Sequence, residues 1–74
     1  MYIENEPWAE TIREAVGRLL KGSPDGVDIE IDGGFVFVHS QETMKVSAKI
    51  RFAAEAAVKA LLPPEHQDKR VSLV

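Results

Sequence analysis

Phe35, Phe37 and His39 recur at every second position of the run "GGFVFVHS", and Asp28, Glu30 and Asp32 do the same in "VDIEID". A spacing of two places each trio on one face of a strand. Three rings in a row offer flat, partly apolar surfaces suited to stacking or to burial in a partner. Three carboxylates in a row offer negative charge suited to steering a basic surface. His39 beside Asp28 and Glu30 is also metal-ligand chemistry, but the chain has two histidines, no cysteine, no His-x-x-x-His pair and no Asp-rich calcium loop. No Ser–His–acid or lysine-based arrangement stands out, and "DGG" is a hairpin turn rather than a phosphate loop. The expectation is contact chemistry, with no catalytic residue, no cofactor and no metal.

Those residues need elements to hold them. In "PWAETIREAVGRLLKG", Trp8, Ile12, Ala15, Val16, Leu19 and Leu20 fall at helical spacing and form one apolar stripe. Pro7 suits the first turn, with Asn5 or Glu6 as the cap. Glu10 and Glu14 sit early, Arg18 and Lys21 late, and Gly22 ends the helix. Gly17 inside it costs roughly 1 kcal/mol relative to alanine, which marks a close approach to another element. "SPDG" is a turn, Val27, Ile29 and Ile31 alternate with the acidic trio in a first strand, and "FVFVH" is the return strand. A second helix is expected from a cap at Ser40 or Thr43 to Leu62, with Val46, Ile50, Ala53, Ala54, Ala57, Val58, Leu61 and Leu62 as its stripe and Pro63 and Pro64 as its stop. Residues 44–52 also alternate with a period of two, a competing strand. The unbroken 3.6 period and the Ala, Lys and Glu content favour the helix. "RVSLV" reads as a last strand.

The first residues decide the topology. If "MYIE" is a strand, the order is βαββαβ, a ferredoxin-like sandwich with two helices on one face of an antiparallel sheet. If it is not, the order is αββαβ with a three-stranded sheet. Both are a single small α+β domain over residues 1–74. A two-residue loop at Asp32-Gly33 or Gly33-Gly34 puts Val36 and Val38 on the face of Val27, Ile29 and Ile31, the natural seat of the helices. Phe35, Phe37 and His39 then share the opposite face with Asp28, Glu30 and Asp32, and an open face bearing two Phe predicts contact. A three-residue loop would exchange the faces.

The same residues resemble the RNA recognition motif, which shares this element order and carries aromatics on its two central strands. Its longer motif runs basic, Gly, aromatic, small, aromatic, aliphatic, any, aromatic. Gly33-Gly34-Phe35-Val36-Phe37-Val38-His39-Ser40 is similar to it at the glycine, both aromatics and the aliphatic. The shorter motif is similar to Met1-Tyr2-Ile3-Glu4-Asn5-Glu6. The resemblance implies that Tyr2, Phe35 and Phe37 form a stacking platform for two or three bases of single-stranded RNA. Asp28, Glu30 and Asp32 on the same face would repel a phosphate backbone, which ranks RNA below a protein partner.

A second strip lies on the later helix, where Phe52 falls among Lys45, Lys49, Arg51 and Lys59. It reads either as a helix-mediated contact or dimer seam, or as apolar surface that the C-terminal tail folds over. The basic residues themselves read first as a solvated face.

Composition sets the remaining bounds. With 45% hydrophobic and 28% charged residues, the chain is too apolar for disorder. A chain of 74 residues buries only about 60% of its unfolded surface, so a second subunit would add stability. The net charge of -3 argues against a protein devoted to phosphate neutralisation. No apolar run reaches membrane-spanning length. "MYIENEPW" lacks the basic and apolar regions of a secretory leader, and the absence of cysteine fits a reducing compartment, so a cytoplasmic setting is expected. The expected function is that of a small non-enzymatic protein-binding module. It would be an adaptor, or an inhibitor of the kind phages direct at nucleic-acid-handling complexes. It would meet a basic partner surface through Tyr2, Asp28, Glu30, Asp32, Phe35, Phe37 and His39. Lys45, Lys49 and Phe52 form a secondary contact. The alternatives are single-stranded RNA binding on the same face and a homodimeric structural domain.

Overall fold

In the computed structural model, which describes residues 1–74, helix α1 (Pro7–Leu20) leads into strands β1 (Asp28–Asp32) and β2 (Phe35–His39). Helix α2 (Ala48–Leu61) and strand β3 (Arg70–Leu73) follow, with short 3-10 turns before β1, before α2 and before β3. The sheet has three strands in the order β1-β2-β3. β1 and β2 are antiparallel, β2 and β3 parallel. The fold is α+β with a mixed sheet, the αββαβ order, in place of the antiparallel sheet of the ferredoxin-like expectation. The parallel pair has a direct cause: α2 carries the chain back to the starting end of β2, and such a crossover is the connection that parallel neighbours require.

"MYIE" forms no strand and contributes a single antiparallel bridge, Tyr2 opposite Glu30 of β1. The Ile3 amide donates to the Ile29 carbonyl and the Ile31 amide to the Met1 carbonyl, both at 2.8 Å. Pairing stops there because Asn5 adopts a left-handed φ of 59° that turns the chain into α1. Pro7 opens that helix, and Glu6 occupies the cap position without a side-chain cap bond. At the other end Lys21, not Gly22, takes the left-handed conformation (φ 58°), and the Gly22 amide closes on the Gly17 carbonyl at 2.8 Å. Gly17 is a close approach, as expected: a Cβ there would lie 3.1 Å from the Pro24 nitrogen.

The second helix starts later than its periodicity predicts. Ser40 caps only a 3-10 turn, Gln41–Lys45, and Thr43 is buried rather than capping. Val46 and Ser47 are extended, and the Ser47 hydroxyl accepts the Ile50 amide at 3.3 Å to cap α2. Two cap-forming serines thus divide a segment whose apolar spacing alone reads as continuous.

One core holds these elements together. Ala9, Ile12, Val16 and Leu20 of α1 and Ala54 and Val58 of α2 pack with Val27, Ile29, Val36, Val38, Leu62 and Leu73. Both helices therefore cover the same face of the sheet. Each fully buried Ile or Val contributes roughly 1.5–3 kcal/mol through removal of its surface from water.

Arg13 ties the outer edge of this assembly together. Its side chain is 14% exposed, and its guanidinium donates to the Ile3 carbonyl at 2.5 Å and the Val27 carbonyl at 3.2 Å while pairing with Glu10 at 2.9 Å. A planar fork reaches three acceptors at once, which a lysine ammonium on a flexible stem does not. Arg13→Met should lower unfolding stability by about 2 kcal/mol, because charge-assisted bonds to part-buried carbonyls are lost. Urea denaturation reads the loss, and amide exchange at Ile3 and Ile31 should accelerate. Arg13→Lys should restore less than half of it.

Candidate functional site

The hairpin closes on Gly33 and Gly34, one of the two expected loops, with Gly33 at φ 59° as a two-residue loop demands of its first central residue. The register then pairs Asp28 with His39, Ile29 with Val38, Glu30 with Phe37, Ile31 with Val36 and Asp32 with Phe35. Val36 and Val38 are fully buried beneath the helices. Phe35, Phe37 and His39 emerge on the other face with Asp28, Glu30 and Asp32, and no element covers them. Tyr2 joins them through its bridge to Glu30. All seven residues expected to meet a partner stand on one surface.

Their rings form a continuous strip. Phe35 and Phe37 stack with centroids 5.4 Å apart and planes 10° from parallel. Phe37 meets His39 at 6.4 Å and His39 meets Tyr2 at 5.7 Å, both tilted. The imidazole is fixed by Nε2, which lies 2.9 Å from Glu30 Oε1 across the strand pair. Tyr2 is 57% and Phe35 43% exposed, while Phe37 and His39 are half-buried by their neighbours. Ring pairs of this kind contribute roughly 0.5–1.5 kcal/mol each beyond their buried area. They also hold the side chains in place relative to one another.

β3 adds two residues that the sequence reading did not place. Arg70 pairs with Phe35 and Ser72 with Phe37, so both sit on the open face. One row across the sheet is Asp32, Phe35, Arg70; another is Tyr2, Glu30, Phe37, Ser72. The rings are thus bordered by carboxylates on the β1 side and a guanidinium on the β3 side. Nothing in "RVSLV" alone sets this parity, because it depends on parallel pairing with β2.

The largest depression, about 590 Å³ and open to solvent, lies at one end of this face among Asp28, His39, Ser40, Gln41 and Glu42, with Val74 its only hydrophobic wall. No group of three or more His, Asp or Glu side chains converges on one point.

The secondary strip is only partly what its sequence implies. Phe52 is 66% exposed, and the C-terminal segment pairs with β2 instead of folding over it. Lys49 and Arg51 are exposed beside it, while Lys45 lies 3.5 Å from Glu42 in the preceding 3-10 turn. Lys59 leaves the basic group: its ammonium donates to the carbonyls of Gln67 and Lys69. The Gln67 amide returns bonds to the carbonyls of Lys59 and Leu62, closing the end of α2. Of the predicted stripe, Ala54, Val58 and Leu62 are buried, whereas Ile50, Ala53 and Leu61 stay exposed at the margin.

Comparison with protein-family models, curated proteins and solved structures gives no match to this chain.

The two faces should respond differently to truncation. Val38→Ala, in the core, should cost about 2 kcal/mol, in the range of buried methyl deletions. Phe37→Ala, on the open face, should cost less than about 1 kcal/mol, as a surface substitution outside the core. Parallel urea titrations measure both, and an inverted ranking would mean that the rings belong to the core.

Proposed function

We propose that this chain is a small non-enzymatic protein-binding module that docks through the open sheet face. The observation that carries this reading is the strip Tyr2–His39–Phe37–Phe35 lying beside Asp28, Glu30 and Asp32. Preset rings beside a row of carboxylates suit a partner with apolar sockets in a basic surface. The rings act as anchors that bury on contact, and the carboxylates steer encounter and fix orientation. Binding blocks the surface it covers, so the module acts by occlusion, as an adaptor or an inhibitor. A row of carboxylates also imitates the charge of a nucleic-acid backbone, which makes proteins that handle nucleic acids the favoured target class. The absence of cysteine is compatible with work in a reducing compartment.

Single-stranded RNA binding is the second reading, favoured by one observation: Arg70 borders Phe35, where a phosphate would lie beside a base stacked on the ring. The two readings respond oppositely to charge. RNA binding would weaken steeply with salt and strengthen when Asp28 or Glu30 is neutralised. Protein docking would weaken on that neutralisation.

Two measurements separate them. The Phe37→Ala, Glu30→Lys double variant, with its circular dichroism spectrum unchanged, should lose the proteins that the wild-type chain retains from a host lysate. Retention of the same proteins by that variant would remove the protein-binding reading. Amide shifts on titration with a mixed pool of short single-stranded RNA at low salt should leave Tyr2, Phe35 and Phe37 unmoved. Joint movement of the three would install the RNA reading in its place.

A further inference from the structure

Two surfaces of this chain carry exposed rings and charge of opposite sign. One is the open sheet face, with stacked Phe35 and Phe37 beside Asp28, Glu30 and Asp32. The other is the outer side of α2. Ala54 and Val58 are fully buried toward the sheet, so helical geometry carries Phe52, Lys49 and Ala56 to the side facing away from it. Phe52 is the most exposed aromatic residue of the chain.

The fully exposed charges nearest Phe52 are basic, and the one carboxylate close by, Glu55, is half-buried. Lys49 and Arg51 are exposed, and neither takes part in an ion pair. The remaining charges of α2 are engaged: the Glu55 carboxylate accepts the Leu73 amide at 3.1 Å, and the Lys59 ammonium is held by carbonyls. What α2 presents outward is therefore an exposed ring with the free cation of Lys49 one turn before it, while Arg51, three and seven residues before buried Ala54 and Val58, is exposed on the flank of the helix. What the sheet presents is exposed rings with three carboxylates on the β1 side and the single guanidinium of Arg70 on the β3 side.

We infer that the sheet face of one copy docks on the α2 face of a second copy. Phe52 packs against Phe35 and Phe37, and Lys49 meets the acidic row of β1. The two surfaces lie on opposite sides of the molecule, so the contact is heterologous rather than two-fold. Each pair leaves one sheet face and one helix face free, and association continues head to tail instead of stopping at a dimer. The inference rests on the reading of the sheet face as a docking face and adds regulation to it. Crowded copies mask one another's rings, and a foreign partner competes with the chain itself.

Sedimentation from dilute to millimolar protein at low salt tests this. The average mass should climb past that of a dimer, and added salt should reverse the climb because the charges are screened. Phe52→Glu alone, and the Phe37→Ala, Glu30→Lys variant alone, should each weaken association by about tenfold or more, as loss of a central anchor does. An equal mixture of the two should form a heterodimer and stop there, since one variant keeps only its sheet face and the other only its helix face. A wild-type chain that stays monomeric, association that survives Phe52→Glu, or a mixture that stays monomeric would each overturn the inference. Failure here is distinct from failure of the partner reading: Phe52→Glu should still retain the foreign partner, whereas the sheet-face variant should not.

Discussion

The parity of β2 is settled at its turn. Gly33 and Gly34 close the hairpin with no residue to spare, and the register that follows gives every side chain from Asp28 to His39 its face. A slip of one residue would send Phe35, Phe37 and His39 under the helices and Val36 and Val38 into solvent. The core could not accept that exchange. It is lined by Val, Ile, Ala and Leu at complete burial, and two phenyl rings and an imidazole in the place of two isopropyl groups would overfill it. Turn geometry and core volume therefore select the same register. The ring strip and the acidic row on the far side follow from that agreement.

The edges of the sheet explain why association would run through the face. β1 is bordered by Met1–Ile3, whose backbone satisfies Ile29 and Ile31, and Arg13 holds the Ile3 carbonyl from the helix side. At the opposite edge the outward amide of Leu73 is taken by Glu55. An edge amide that is already engaged is lost to a further strand as a donor. The proposed docking therefore assigns contact to side chains on the open face rather than to backbone at the edges.

Much of this was legible in the residues. The period of two in "VDIEID" and "FVFVH", with a glycine pair between, identifies the strands, the loop and the faces together, because all three follow from local backbone geometry. Gly17 likewise marked a close approach, and the structure supplies its partner, the turn at Pro24. Other features were out of reach because they depend on pairings between distant segments. Arg70 and Ser72 reach the open face only because α2 returns the chain parallel to β2. Arg13 binds carbonyls brought to it by the N-terminal bridge. The late start of α2 shows a different limit: apolar spacing runs through Val46 and Ser47, but the Ser47 hydroxyl competes for the first amide of the helix and sets its beginning.

Folding accounts for the openness of the second face but not for the rings upon it. Two helices of 14 residues cover one face of the three-stranded sheet, and no other element of residues 1–74 lies over the second. Stability needs Val36 and Val38 beneath the helices and asks of positions 35 and 37 only that they suit a strand. Threonine would suit a strand as well as phenylalanine does and would leave no apolar patch. Two stacked phenyl rings at those positions, extended by His39 and Tyr2 and bordered by carboxylates, keep apolar surface in water that the fold does not require. Covering the rings would recover the free energy of that exposed surface, and under the proposed function the carboxylates beside them select for a basic surface to do so.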